Sequence, residues 1–62
     1  MKDLKRKEAR NLILEKFQVK DQDLVFVEKI ENEGLTKYSF VADDKRINVS
    51  FLGEKVIDIF RY

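Results

Sequence analysis

The sequence contains neither cysteine nor histidine, and each absence excludes a group of functions. Without cysteine the chain forms no disulfide, offers no thiolate nucleophile and supplies no sulfur ligand to zinc. Without histidine it lacks the commonest general base, the commonest ligand of transition metals and the usual side chain that titrates near neutral pH. The remaining carboxylates, lysines and tyrosines form no recognisable catalytic constellation. We therefore expect a protein that is not an enzyme and uses no cofactor or metal.

Long apolar runs are missing as well. No stretch approaches the roughly 18 apolar residues of a membrane-spanning helix, and the charged start MKDLKRKEAR lacks the apolar core of a signal peptide. We expect a cytoplasmic protein with no membrane partner and no small-molecule substrate. The 62 residues, 44% hydrophobic and 40% charged, suit a single domain over residues 1–62 with a thin core and a highly charged exterior.

The stretch from Tyr38 to Phe51 predicts a β-hairpin. Apolar and polar residues alternate over residues 47–51, which is the period of a strand with one buried face and one wet face. Asp43 and Asp44 tolerate the positive φ of a two-residue turn. The resulting register pairs Ala42 with Lys45, Phe40 with Ile47 and Tyr38 with Val49.

The residues before the hairpin predict a helix and another strand. Asp3 is a candidate N-cap, and no glycine or proline interrupts residues 4–17, where Ala9, Ile13 and Phe17 fall on one stripe. The first strand is predicted over residues 24–31, followed by a three-residue turn over residues 32–34. That turn pairs Glu31 with Leu35 and places Phe26 opposite Phe40.

A second three-residue loop is predicted over residues 52–54, before the last strand. It places Ile57 opposite Val49 and Ile59 opposite Ile47, and a slip of one residue would exchange the two faces of this strand. The fold class is therefore α+β, an N-terminal helix packed on a four-stranded antiparallel β-meander of order 1-2-3-4. The predicted inner face holds Leu24, Phe26, Ile30, Tyr38, Phe40, Ile47, Val49, Phe51, Ile57 and Ile59.

The succession of EARNLILEKF, several strands and a late LGEKVIDI resembles the small PepSY-type domains. The resemblance implies the same order of a helix followed by an antiparallel sheet. It implies no function and no site residue for this chain.

An apolar cluster is predicted on the outward side of the sheet, which the helix leaves uncovered. An uncovered sheet face is normally polar, so apolar residues there indicate a protein partner or a second copy of the chain. The alternative is the ordinary preference of valine for strands. The candidate protein-binding residues are Val25, Val27, Val41, Val56 and Phe60.

The last strand, EKVIDIFRY, is apolar on both sides and lies at an edge of the predicted meander. Free backbone donors and acceptors at such an edge can pair with a second copy across a two-fold axis, so a homodimer is expected through this strand. The alternative is that Lys55, Asp58 and Arg61 keep the edge solitary.

Isolated acids are the next candidates. The predicted register points Glu28 inward, either as a charge that protects an edge strand or as a carboxylic acid at the mouth of a small cleft. The acids of residues 21–23 and the pair Asp43 and Asp44 follow no calcium-loop spacing, and turn chemistry explains both.

A basic N-terminal segment is the one signal for nucleic acid. Residues 1–20 carry seven Lys or Arg against three acids, whereas residues 21–34 carry one Lys against five acids. A basic helix can rest on phosphates, although the same cations also suit a solvated helix face. The candidate nucleic-acid-binding residues are Lys2, Lys5, Arg6, Lys7 and Arg10.

The sequence thus favours a small non-catalytic protein-binding or regulatory module that acts through its open sheet face or its edge strand. Small inhibitors encoded by phages or mobile elements also fit this description. The alternative is a small nucleic-acid-binding protein that uses the basic helix.

Overall fold

A computed structural model describes residues 4–62, which form one α-helix, one short 3₁₀-helix and one antiparallel sheet of four strands. The elements are α1 (Leu4–Phe17), the 3₁₀-helix (Asp21–Asp23), β1 (Val25–Asn32), β2 (Leu35–Ala42), β3 (Lys45–Leu52) and β4 (Lys55–Arg61). The strand order β1-β2-β3-β4 confirms the predicted helix and meander. The candidate N-cap Asp3 lies outside the described residues. Within residues 4–62, no helix has the length and apolar character needed to cross a membrane.

The end of α1 is fixed by the backbone and by one arginine. Gln18 takes a positive φ of 54°, the left-handed conformation that commonly ends a helix. Arg10 then ties the helix to the segment that follows. Its Nε donates to Asp21 Oδ1 at 2.8 Å and its Nη1 donates to the carbonyl of Leu24 at 3.0 Å. These bonds hold the start of β1 beside the helix.

The central hairpin has the predicted register. Asp43 and Asp44 adopt φ values of 51° and 62°, so both central residues of the turn are left-handed, as in the turn type that matches the twist of the strands. The confirmed pairs are Ala42 with Lys45, Phe40 with Ile47 and Tyr38 with Val49.

The turn between β1 and β2 is one residue shorter than predicted. Glu33 and Gly34 alone form it, with φ values of 49° and 82°, and Asn32 pairs with Leu35. A β-bulge at Val27 then shifts the register back. Phe26 still pairs with Phe40, as predicted, whereas the predicted pair of Glu31 with Leu35 is wrong.

Between this turn and its bulge, the side chains of β1 point to the opposite face from the one predicted. Glu28 pairs with Ser39 and Ile30 pairs with Lys37, so both side chains point outward. Lys29 points inward, where its Nζ lies 5.7 Å from the centre of the Tyr38 ring. The inward placements of Glu28 and Ile30 were therefore wrong.

The turn between β3 and β4 repeats this arrangement. Gly53 and Glu54 form a two-residue turn, with Gly53 at a φ of 64°, and a bulge at Ile57 follows. The predicted partners of β4 are wrong: Val56 pairs with Phe51, Ile59 with Val49 and Arg61 with Ile47. Val56 consequently packs against the core from the inner face, and Ile57 is exposed in the bulge.

The core lies between α1 and the inner face of the sheet. Its largest fully buried side chains include Tyr38, Phe40 and Phe51, each stabilising the fold by roughly 1.5–3 kcal/mol through burial. The rings of Tyr38 and Phe51 meet edge to face at 5.7 Å. Besides the predicted residues, Thr36 and Ala42 are buried. The buried core consists of Ala9, Ile13, Leu24, Tyr38, Phe40, Ala42, Ile47, Val49 and Phe51.

Two substitutions test the left-handed backbone conformation of Gly34 and Asp44 in the turns. Gly34→Ala should lower the free energy of unfolding by about 1 kcal/mol, because alanine is strained at a φ of 82° even though nothing lies within 4 Å of the added Cβ. Asp44→Gly should raise it by up to about 1 kcal/mol, because glycine adopts the left-handed conformation without that strain. Urea unfolding measures both. A loss of stability with Asp44→Gly would show that the aspartate side chain itself holds the turn.

Candidate functional site

The outer face of the sheet, on the side away from α1, is covered by no other element of residues 4–62. The core contacts of Ala9 and Ile13 place the helix on the inner face. Across the middle of the outer face, one row of paired residues crosses all four strands. That row is Glu28, Ser39, Asn48 and Phe60.

A shallow depression of about 340 Å³ lies in the middle of the outer face, and we call it the central depression. An ion pair spans one side of it, where Arg46 Nη2 donates to Glu28 Oε2 at 2.7 Å. On another side, Asn48 Nδ2 donates to the hydroxyl oxygen of Tyr62 at 3.1 Å. The backbone N–H of Tyr62 donates to the carbonyl of Arg46 at 2.8 Å, which holds the chain end beside β3. The lining residues are Glu28, Lys37, Ser39, Arg46, Asn48 and Tyr62.

The floor of the central depression carries two buried polar atoms that form no hydrogen bond within the described part of the chain. Ser39 is 1% exposed and Asn48 is 8% exposed, although both lie on the solvent side of the sheet. Ser39 Oγ and Asn48 Oδ1 find no hydrogen-bond partner among residues 4–62. Leaving such a group unpaired costs about 1–3 kcal/mol. Among residues 4–62, the buried side-chain atoms that lack a hydrogen bond therefore lie on the outer face of the sheet.

Apolar side chains flank the central depression. At one end Val25 is 58% exposed and pairs with the half-buried Val41, with exposed Val27 in the adjacent bulge. On the β4 side Phe60 is 51% exposed, and its ring meets that of Tyr62 edge to face at 4.9 Å. Near the Gly34 and Gly53 turns, a further exposed group comprises Ile30, Leu35 and Leu52.

The structure separates the predicted apolar cluster into parts. Val25 pairs with Val41 on the β1 and β2 side, whereas Phe60 pairs with the polar Asn48 on the β3 and β4 side. Val56 leaves the outer face, because the two-residue turn at Gly53 and Glu54 pairs it with the buried Phe51 on the core side. The outer face thus has a polar centre between apolar ends.

The sequence did not predict the positions of several residues on this surface. The outward positions of Ile30 and Leu52 and the contact of Glu28 with Arg46 all follow from the two-residue turns. The signal that could have found them is the glycine in each turn, since two-residue turns containing glycine are the commonest hairpin connections. The bulges that accompany these turns have no comparable sequence signature.

The acidic candidates have structural partners or turn positions. Glu28 pairs with Arg46 on the outer face and stands in no inner cleft. Asp21 pairs with Arg10 at 2.8 Å, while Asp43 and Asp44 form the central turn. Among residues 4–62, no three His, Cys, Asp or Glu side chains are grouped as metal ligands would be.

Most of the basic candidates on α1 make contacts within the fold. Lys5 Nζ lies 3.5 Å from Glu54 Oε1, and the guanidinium of Arg6 lies 4.9 Å from the centre of the Phe26 ring. Arg10 binds the 3₁₀-helix segment, as described above. Lys7 is exposed, and Lys2 lies outside the described residues. The helix therefore presents fewer cations for phosphate contacts than its sequence indicates.

Comparison of the chain with protein families, with curated proteins and with solved structures finds no match. The resemblance to PepSY-type domains accordingly finds no support at the level of a family.

Ser39→Ala tests the unpartnered floor of the central depression. Removing a buried hydroxyl that has no hydrogen bond should raise the free energy of unfolding by about 1 kcal/mol, measured by urea denaturation. Ser50→Ala, on the same face but less buried, is the matched control and should change stability by less than about 0.5 kcal/mol. A clear loss of stability with Ser39→Ala alone would show that the hydroxyl has a partner in the free protein.

Proposed function

We propose that the chain is a small non-catalytic module that binds another protein through the outer face of its sheet. The observation that carries this proposal is the central depression, on whose buried floor Ser39 Oγ and Asn48 Oδ1 have no hydrogen-bond partner within the described residues 4–62. A partner that covers the face would supply hydrogen bonds to both atoms. It would also bury the exposed side chains of Val25 and Phe60.

The composition of the outer face supports this proposal. Tyrosine, phenylalanine and arginine are enriched in protein interfaces, and Tyr62, Phe60 and Arg46 stand together on the β3 and β4 side. Rigid aromatic rings contribute contact area at a low cost in side-chain entropy. The module would therefore act by occupying a surface of its partner, which suits a regulatory protein or an inhibitor.

The edge strands are less suited to the contact than the face is. β1 and β4 are the two edges of the sheet, and each carries a bulge, at Val27 and at Ile57. A bulge twists an edge and interrupts the regular row of backbone donors and acceptors that a further strand would need. A homodimer through β4 would have to use the short segment Asp58–Arg61 beyond the bulge, so a second copy is the less favoured partner.

Phe60→Lys tests the proposed surface. The substitution places a charge on the outer face beside Tyr62, so it should weaken partner binding at least tenfold while the denaturation midpoint stays nearly unchanged. Leu4→Lys is the matched control, because Leu4 is an exposed apolar residue on α1. Capture from an extract of the native host compares the three proteins, and sedimentation of the purified chain reports any dimer.

Retention of the same partner by both variants would contradict the proposal. A dimer at micromolar concentration that Phe60→Lys dissociates would instead identify the partner as a second copy of the chain.

The rival function, nucleic-acid binding by α1, predicts a different pattern. Affinity for single-stranded or duplex DNA would fall steeply with rising salt, and Lys7→Glu would weaken it. Lys7 is a cleaner probe than Lys5 or Arg6, whose side chains also contact Glu54 and Phe26. We expect only weak binding that disappears at physiological salt and that Lys7→Glu hardly changes. Tight binding that this variant weakens would favour the rival.

A further inference from the structure

We propose that the central depression recognises a primary amide, the side-chain end of a glutamine or asparagine carried by the partner protein. This inference rests on the proposed function and specifies the chemistry of the contact. It joins the two unpartnered atoms of the floor to one ligand group.

The two floor atoms stand on directly paired residues. Ser39 on β2 and Asn48 on β3 face each other across the strands, and side chains so paired have Cβ atoms about 5 Å apart. The Ser39 hydroxyl can donate, whereas Asn48 Oδ1 can only accept. A primary amide carries an acceptor oxygen and a donor nitrogen side by side on one carbon. It can therefore accept from Ser39 and donate to Asn48 at the same time.

The charges around the depression disfavour ionic ligands. A carboxylate would lie near Asn48 Oδ1 and the carboxylate of Glu28, which would repel it. It would also offer no hydrogen-bond donor to Asn48 Oδ1. An ammonium or guanidinium group would face Lys37 and Arg46, and it would leave the Ser39 hydroxyl without an acceptor. Since Glu28 already pairs with Arg46 at 2.7 Å, the wall is largely neutralised before a ligand enters. A neutral group that both donates and accepts fits this mixed environment best.

A ligand side chain would reach the buried floor once the side chains of Glu28 and Arg46 move apart. Glu28 and Arg46 are both about half exposed, and their charged ends lie on flexible stems that can swing aside. The depression, at about 340 Å³, exceeds the volume of a carboxamide group. The apolar groups on either side, such as Val25 at one end and Leu35 at the other, would contact apolar neighbours of the inserted residue.

Selection of random dodecapeptides displayed on phage against the immobilised protein tests this assignment. Peptides that bind should carry glutamine or asparagine at one position with apolar residues on both sides. Synthetic copies in which that residue is replaced by Glu, Lys or Met should bind at least tenfold more weakly. Ser39→Ala should lose a similar factor while remaining folded.

Asn48→Asp is a second variant, which should change the type of residue that the depression selects. It keeps the size of the side chain and adds a negative charge to the floor, so its selected peptides should change from glutamine to lysine or arginine at the central position. Enrichment of acidic or basic residues by the wild-type protein would overturn the inference. So would the absence of binding peptides, or peptides that bind wild type and Ser39→Ala equally.

These outcomes are separable from those that test the proposed function. Amide-selective peptide binding without capture of any host protein would refute the function and leave the amide site. Capture that Phe60→Lys weakens but Ser39→Ala and Asn48→Asp leave unchanged would support the function and refute the amide site.

Discussion

The inner face of the sheet must present its apolar side chains to α1, which requires a particular register of β1 and β4. The two-residue turns that connect β1 to β2 and β3 to β4 favour a different register. Phe26 has to lie opposite Phe40, and Ile59 opposite Val49, if β1 and β4 are to extend the core. The two-residue turns on their own would put both strands one residue out of that register. A bulge in each outer strand resolves the conflict, at Val27 and at Ile57.

The turns and bulges also determine which side chains of β1 and β4 lie on the outer face. Between the turn and the bulge of β1 the side chains are exchanged between faces, which brings Glu28 to Arg46 and exposes Ile30. In β4, the two-residue turn places Val56 opposite Phe51, on the core side. The polar floor of Ser39 and Asn48 comes from the central hairpin, which needs no correction. The composition of the outer face thus results from the turns and bulges that let β1 and β4 pack against the core. Its polar centre lies on the two regular strands, β2 and β3.

The sequence predicted the parts of the fold that follow from local chemistry. The helix over residues 4–17, the Asp43 turn and the central register rest on periodicity and on turn residues, and the structure agrees with each. The faces of β1 and β4 could not be predicted as well, because a bulge reflects the competition between a turn and a distant core contact. Alternation within one strand contains no information about that competition. The exposed positions of Val25 and Phe60 were nevertheless correct, because both lie beyond the bulges, where the predicted orientation is restored.

The central claim is that the outer sheet face is the surface on which this protein acts. The most direct measurement is the loss of backbone amide signals when ¹⁵N-labelled protein is placed in an extract of its native host and observed by NMR, with Phe60→Lys in parallel. The claim predicts selective loss at outer-face residues such as Val25, Ser39 and Asn48, restored by Phe60→Lys, while the signals of α1 persist. Selective loss on α1, around Lys7 and Asn11, with an unchanged outer face would contradict it.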